Sequence, residues 1–195
     1  KVREIVDSGV LGPILSIHAD HGQRLADQGI ARLIEPDLAG GALLDLGIYP
    51  VSFVHMILGN PAHITSKAVM TEKGVDAQTS MIFSYDGGAQ AVLTTTMIEQ
   101  TPCRAVVAGL KGWLEIDRTF YNPAAMRVVL NDGTVTEYPN TYAGHGLREQ
   151  AETFKRLVGS GKLESDILNW ADTVDIMRSL DTVREQIGLK YPFEN

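Results

Sequence analysis

The sequence predicts an α+β domain: an open, mostly antiparallel sheet with helices packed on one face. Two observations predict it. From Ile64 to Pro139 nearly every segment is a short β-branched run, namely ITSKAVMTE, AQTSMIFSY, AQAVLTTTMIEQ, RAVVAGL, WLEID, MRVVL and VTEYP. Helical periodicity is confined to the two ends and to one segment after the first strand. Strands gathered in one run and helices in another indicate α+β rather than alternating βαβ units.

Each element has its own signal. KVREIVDSGVLG places Val2, Ile5 and Val6 on one side of a short helix that stops at Gly9 and Gly12. ILSIHADHGQ then alternates, with Leu15, Ile17 and Ala19 on one face and Ser16, His18 and Asp20 on the other, which predicts a strand with one wet face. Arg24 to Asp37 is a long polar connection, and long ordered loops tend to carry function. Gly40 to Leu58 is the next helix, closed by Gly59, Asn60 and Pro61. Turn signals at Lys73-Gly74, Asp86-Gly87-Gly88, Lys111-Gly112 and Asn131-Asp132-Gly133 separate the strands, and those at Tyr85-Asp86-Gly87-Gly88 and Asn131-Asp132-Gly133 mark hairpins. At the end, Leu147, Ala151, Phe154 and Val158 form one helical stripe. A second helix from Asn169 to Ile187 carries Trp170, Val174, Met177, Leu180, Val183 and Ile187, and Gly188 stops it. Trp113 and Trp170 are expected in the core. One domain accounts for the whole pattern.

The 195 residues suffice for a substantial core. A content of 44% apolar and 21% charged residues is that of a globular protein, and no apolar run is long enough to suggest a membrane span. The net charge of −7 offers no footprint for nucleic acid. The single cysteine, Cys103, precludes an internal disulfide and fits a cytoplasmic setting; it is expected to be a small buried hydrophobe. There is no initiator Met and no signal-type segment, so the chain is expected to start in mid-protein.

Familiar catalytic loops are missing. Gly144-His145-Gly146-Leu147-Arg148-Glu149 lacks the third glycine of a dinucleotide fingerprint and ends in an acid. His18 and His21 fall on opposite faces of a strand, so no shared metal is expected and both read first as solvated strand residues, with His18 or Arg24 the alternative for facing a pocket from this strand; no metal site is expected elsewhere. His55 and His63 are expected at surfaces or in cap contacts.

The chemistry concentrates in GGALLDLGIYP, Gly40 to Pro50. Asp45 and Tyr49 are four residues apart and share a helix face. Gly40, Gly41 and Gly47 permit a close approach by a backbone or a flat ligand. Two readings are open. Asp45 bonds a neighbouring loop and Tyr49 is an amphipathic edge residue, or the two form an orienting carboxylate and a general acid/base. A phenol with an ordinary pKa near 10 needs a nearby cation to work at neutral pH, and this segment has none. Arg32 is either a substrate ligand or the partner of Glu35. His145 is either a pocket residue or a helix-entry residue.

KVREIVDSGVLGPILSIHAD, GGALLDLGIYPVSFVHMILGNP and WADTVDIMRSLDTVREQIGLKYP resemble the C-terminal domain of the glucose–fructose oxidoreductase / inositol dehydrogenase / MocA family. The resemblance runs from end to end, and its most specific part is GGALLDLGIYP. It implies a fold like the C-terminal domain of glyceraldehyde-3-phosphate dehydrogenase. It also implies an N-terminal Rossmann domain, absent from this chain, that binds NAD or NADP and supplies a catalytic lysine. Asp45 matches the family's aspartate. Tyr49 stands where most members have a histidine, as in the branch resembling dimeric dihydrodiol dehydrogenases, which disfavours an inositol dehydrogenase. The resemblance implies catalytic roles for Tyr49 and Asp45; beside it, the residues themselves are read with Arg32 and His145 as substrate-binding and Gly40 and Gly41 against the cofactor. The implied activity is hydride transfer between nicotinamide and a carbinol carbon of a sugar, polyol or dihydrodiol, in a homodimer or larger assembly formed through the open sheet face. The alternative is a non-catalytic module for self-association or polyol binding.

Overall fold

In a computed structural model, residues 1–194 are described. A short helix α1 (Val2–Asp7) leads to strand β1 (Ile14–Gly22). The connection that follows is not a plain loop, because it folds into a 3-10 turn (Ala26–Gln28), one turn of helix α2 (Ala31–Ile34) and a second 3-10 turn (Pro36–Leu38). A π-turn (Leu43–Gly47) runs into α3 (Ile48–Leu58). Strands β2 (His63–Met70), β3 (Asp76–Ser84), β4 (Gln90–Thr96), β5 (Ala105–Gly109), β6 (Gly112–Ile116), β7 (Met126–Leu130) and β8 (Val135–Tyr138) precede α4 (Leu147–Gly159) and α5 (Trp170–Ile187).

The eight strands form one sheet in the order β2-β3-β4-β1-β5-β6-β7-β8. Every pairing is antiparallel except β1 with β4, which run parallel from Ser16 opposite Gln90 to Gly22 opposite Thr96. That central seam brings the C-terminal ends of β1 and β4 side by side, and the functional wall is built there.

The period-two patterns resolve into faces. Ile17 and Ala19 of β1, Met81 and Phe83 of β3, Ala91 and Leu93 of β4, Val107 of β5, Leu114 of β6 and Val128 of β7 all point inward and are buried. Val51, Val54, Ile176, Leu180 and Val183 from α3 and α5 complete that core. Burying such side chains supplies about 1.5–3 kcal/mol each. The opposite face carries no helix and mixes His18, Thr94 and Arg127 with half-exposed Ile82, Val92 and Trp113. Cys103 is buried, as expected of it.

Four expectations need correction. Trp113 lies on the open face and Trp170 is 63% exposed, so neither tryptophan is in the core. The stripe on α4 is not covered: Leu147, Phe154 and Val158 are exposed and α4 buries no side chain. His55 is half-buried and ties α3 to α5, with its Nε2 3.0 Å from Ser179 Oγ. Pro36–Leu58 does reach the length and hydropathy of a membrane span. However, its glycines, turns and π-turn interrupt it, and most of its apolar side chains, Leu43, Leu46, Val51 and Val54 among them, belong to the domain core.

Candidate active site

The wall begins with a proline. Pro50 has no N–H, so the α-helical hydrogen bond to the carbonyl of Leu46 cannot form. The chain widens into the π-turn there, a feature that often marks functional sites. Gly47 lets this turn lie against β4; a Cβ there would meet Thr95 Cγ2 at 3.3 Å. Thr95 Oγ1 also donates to Ala42 O at 3.3 Å. The close approach that Gly47 implies is therefore made by the sheet.

Gly40 and Gly41 serve the chain in the same way. A Cβ on Gly40 would strike the Leu33 backbone. Gly41 has φ 123° and abuts the carboxylate of Asp76. Asp76, fully buried at the start of β3, accepts from Leu43 N–H at 2.8 Å and from Thr79 Oγ1 at 2.7 Å. It caps the start of the helical segment from 33 residues away. Burial pushes its carboxyl above the usual range, against the pull of those two donors. Protein atoms fill the space that a Cβ would take at Gly40 and Gly41, so the close approach these glycines permit is made by the chain itself.

Asp45 sits within the π-turn, which offsets it from the α-helical register of Tyr49. It accepts from Arg32 at 2.6 Å, so Arg32 is brought to the wall by Asp45. Its anticipated partner Glu35 binds Lys73 instead. Tyr49 is 43% exposed, with its ring on the surface of the wall. His145 is exposed on the turn before α4 and has no hydrogen bond to the wall.

Three residues complete the site without having been expected there. His21 continues the inward parity of Ile17 and Ala19, and at 1% exposure it is no solvated strand residue. Its ring meets Tyr49 edge-on at 4.8 Å between centroids and Tyr121 at 4.3 Å, while Tyr49 and Tyr121 are 4.9 Å apart. His21 Nδ1 is 3.1 Å from Leu46 O, a carbonyl at the junction of the π-turn and α3. Gln23 Nε2 lies 2.9 Å from His21 Nε2 and donates to Tyr121 Oη at 3.1 Å. Burial lowers the pKa of His21 and outweighs the opposing influence of the Leu46 carbonyl, Asp45 and Asp20. Tyr121 is raised, chiefly by burial. The parity of β1 could have revealed His21. Gln23 and Tyr121 have no such signal, since Tyr121 comes from the loop between β6 and β7.

This wall is open. A cavity of about 820 Å³ lies elsewhere, among Arg3, Phe53, Met56, Phe120, Tyr138 and Tyr142, and includes none of these groups. No cluster of three or more metal-ligating side chains occurs among the described residues. Asp20 spends its carboxylate on the N–H groups of Cys103 (2.8 Å) and Arg104 (3.1 Å). The arrangement offers a phenol beside an ion-paired carboxylate, floored by a neutral imidazole and a second phenol. It can hold and move a proton at an oxygen.

Comparison with known proteins agrees with this architecture. Residues 1–115 match the model of the GFO/IDH/MocA C-terminal domain. The chain is 31% identical to trans-1,2-dihydrobenzene-1,2-diol dehydrogenase of Xenopus tropicalis, over 98% of the chain and 60% of that protein. It is 30% identical to D-xylose 1-dehydrogenase (NADP(+)) of Hypocrea jecorina, over 98% of the chain and 57% of that protein. Aldose-aldose oxidoreductase of Caulobacter crescentus superposes with a TM-score of 0.80 at 24% identity, covering 94% of this chain and 56% of that one; at that identity the likeness is one of fold. The chain thus spans about 60% of the length of these curated relatives. With the match covering more than half of its residues, the chain belongs to the GFO/IDH/MocA oxidoreductase family.

Proposed function

We propose that this domain is the substrate-binding wall of an NAD(P)-dependent oxidoreductase acting on a carbinol carbon of a sugar, polyol or dihydrodiol. The observation that carries it is the exposed phenol of Tyr49, held against His21 and Tyr121 beside the Asp45–Arg32 pair. The curated relatives are named as dehydrogenases of a diol and of a pentose, which supports the same substrate class.

In this reading Tyr49 exchanges the proton of the reacting hydroxyl, and Asp45 orients the substrate or a cation brought to the site. The aromatic edges of His21 and Tyr121 suit the C–H face of a sugar or diol ring. The residues here do not fit a dinucleotide: Gly40 and Gly41 are filled by the chain itself, and no glycine-rich phosphate loop is present. A nicotinamide, NAD or NADP, would supply the hydride donor or acceptor from an N-terminal Rossmann domain. That domain would also bring the cation that the phenol requires. Self-association through the open face, with Ile82, Val92 and Trp113 half exposed, and a cytoplasmic setting belong to the same proposal.

The test is turnover of D-xylose and of trans-1,2-dihydrobenzene-1,2-diol with NADP+ and NAD+, using the protein with its upstream domain. Activity that collapses in Tyr49→Phe and falls in Asp45→Asn supports the reading. Activity near wild type in both variants overturns the assignment, and no turnover of any diol or sugar favours a non-catalytic module.

A further inference from the structure

The hydrogen bonds beneath the wall run in a fixed direction, and the Leu46 carbonyl sets it. The carbonyl of Leu46 can only accept, so His21 Nδ1, 3.1 Å away, carries the proton. A neutral imidazole holds one N–H, and burial keeps this imidazole neutral, so Nε2 is bare. Gln23 Nε2, 2.9 Å from it, must donate one of its two hydrogens there. The other goes to Tyr121 Oη at 3.1 Å. The amide orientation is thus dictated by the imidazole. Tyr121 Oη already accepts, and among the described residues its own proton has no acceptor. Its ring lies 4.9 Å from that of Tyr49, beside the reacting group.

We infer that the relay Leu46 C=O···His21···Gln23···Tyr121 makes Tyr121 an obligatory hydrogen-bond donor to the ligand, so that the site selects substrates bearing an acceptor oxygen next to the reacting carbinol. Tyr121 is then a specificity-determining residue. His21 and Gln23 are positioning residues that act through it. This inference rests on the oxidoreductase reading for its ligand class, but its two readouts do not require turnover.

The first readout is the tautomer of His21, from 15N NMR of the histidine-labelled protein with its upstream domain. The expected wild-type spectrum is a neutral imidazole protonated at Nδ1. In Gln23→Glu a carboxylate faces Nε2, and the ring is expected to become doubly protonated. A ring protonated at Nε2 alone in the wild type overturns the relay. The second readout is binding of D-xylose and of trans-1,2-dihydrobenzene-1,2-diol, followed by the shift of the same ring signals. Tyr121→Phe removes the donor, together with the acceptor of one Gln23 hydrogen, and is expected to weaken binding about tenfold. Gln23→Glu, whose carboxylate competes for the Tyr121 proton, is expected to weaken it comparably although Tyr121 is retained. Equal binding by wild type and Tyr121→Phe, or binding of neither compound, overturns the inference. A protein that binds as expected but turns nothing over removes the oxidoreductase reading and leaves the relay standing.

Discussion

The two longest helical segments of the packed face end in opposite ways. α5 is closed by its own neighbours: Asn169 accepts from Asp172 N–H at 2.9 Å, Asp172 returns a bond to Asn169 N–H at 3.2 Å, and Gly188 turns the chain at φ 73°. The segment from Ala42 to Leu58 depends on distant partners. Asp76 caps its start across the fold, and His21 from β1 bonds the Leu46 carbonyl where the π-turn meets α3. The self-contained helix builds the core. The dependent one places its side chains relative to three strands at once, and that is where the chemistry gathers.

Variants can break or sharpen this contrast. The largest effect on stability is expected from Asp76→Ala, which leaves Leu43 N–H and Thr79 Oγ1 buried without an acceptor; it should lower the unfolding free energy by about 2–3 kcal/mol in urea titration. Asn169→Ala removes a cap that solvent can replace and should lower it by about 1 kcal/mol. If the two losses are equal, the contrast between a distant and a local cap fails. Arg32→Ala breaks an ion pair whose arginine is largely exposed, so a change below about 1 kcal/mol is expected from the same titration.

The response to pH follows from His21 and His55, both lowered from the ordinary value of 6.5 mainly by burial. His21 contacts Gln23, Tyr49 and Tyr121 and feels the charges of Asp45 and Asp20, while His55 contacts Ser179 and feels the charges of Asp175 and Asp172. A depressed histidine binds its proton more readily in the unfolded chain. Its contribution to stability is therefore complete above about 6.5 and is lost as pH falls through the folded values. A chain with both histidines replaced by isosteric neutral residues should show a shallower decline in melting temperature between pH 7 and 5.

Much of the fold is legible in the residues. Hairpin turns give antiparallel pairing, and Gly59 and Gly188 stop α3 and α5 where expected. Parity within β1 carries His21 inward, since it follows Ile17 and Ala19 by steps of two, although a polar side chain invites the opposite reading. Pro50 early in a helix likewise announces a disturbed turn. What sequence spacing could not convey is partnership at a distance: Asp76 with Leu43, Arg32 with Asp45 rather than Glu35, and Gln23 with Tyr121. These pairs depend on the order of strands in the sheet. The stripe of α4 shows the converse, because periodicity reveals an apolar face but not whether this chain covers it.

The central claim is that Tyr49 performs proton transfer while Tyr121, its neighbour at 4.9 Å, only binds. The most direct measurement compares kcat and KM of Tyr49→Phe and Tyr121→Phe in the protein with its upstream domain. The account predicts that kcat falls about 10²–10⁴-fold in Tyr49→Phe, and that Tyr121→Phe raises KM about tenfold with kcat nearly unchanged. A loss of kcat confined to Tyr121→Phe, with Tyr49→Phe fully active, would contradict it.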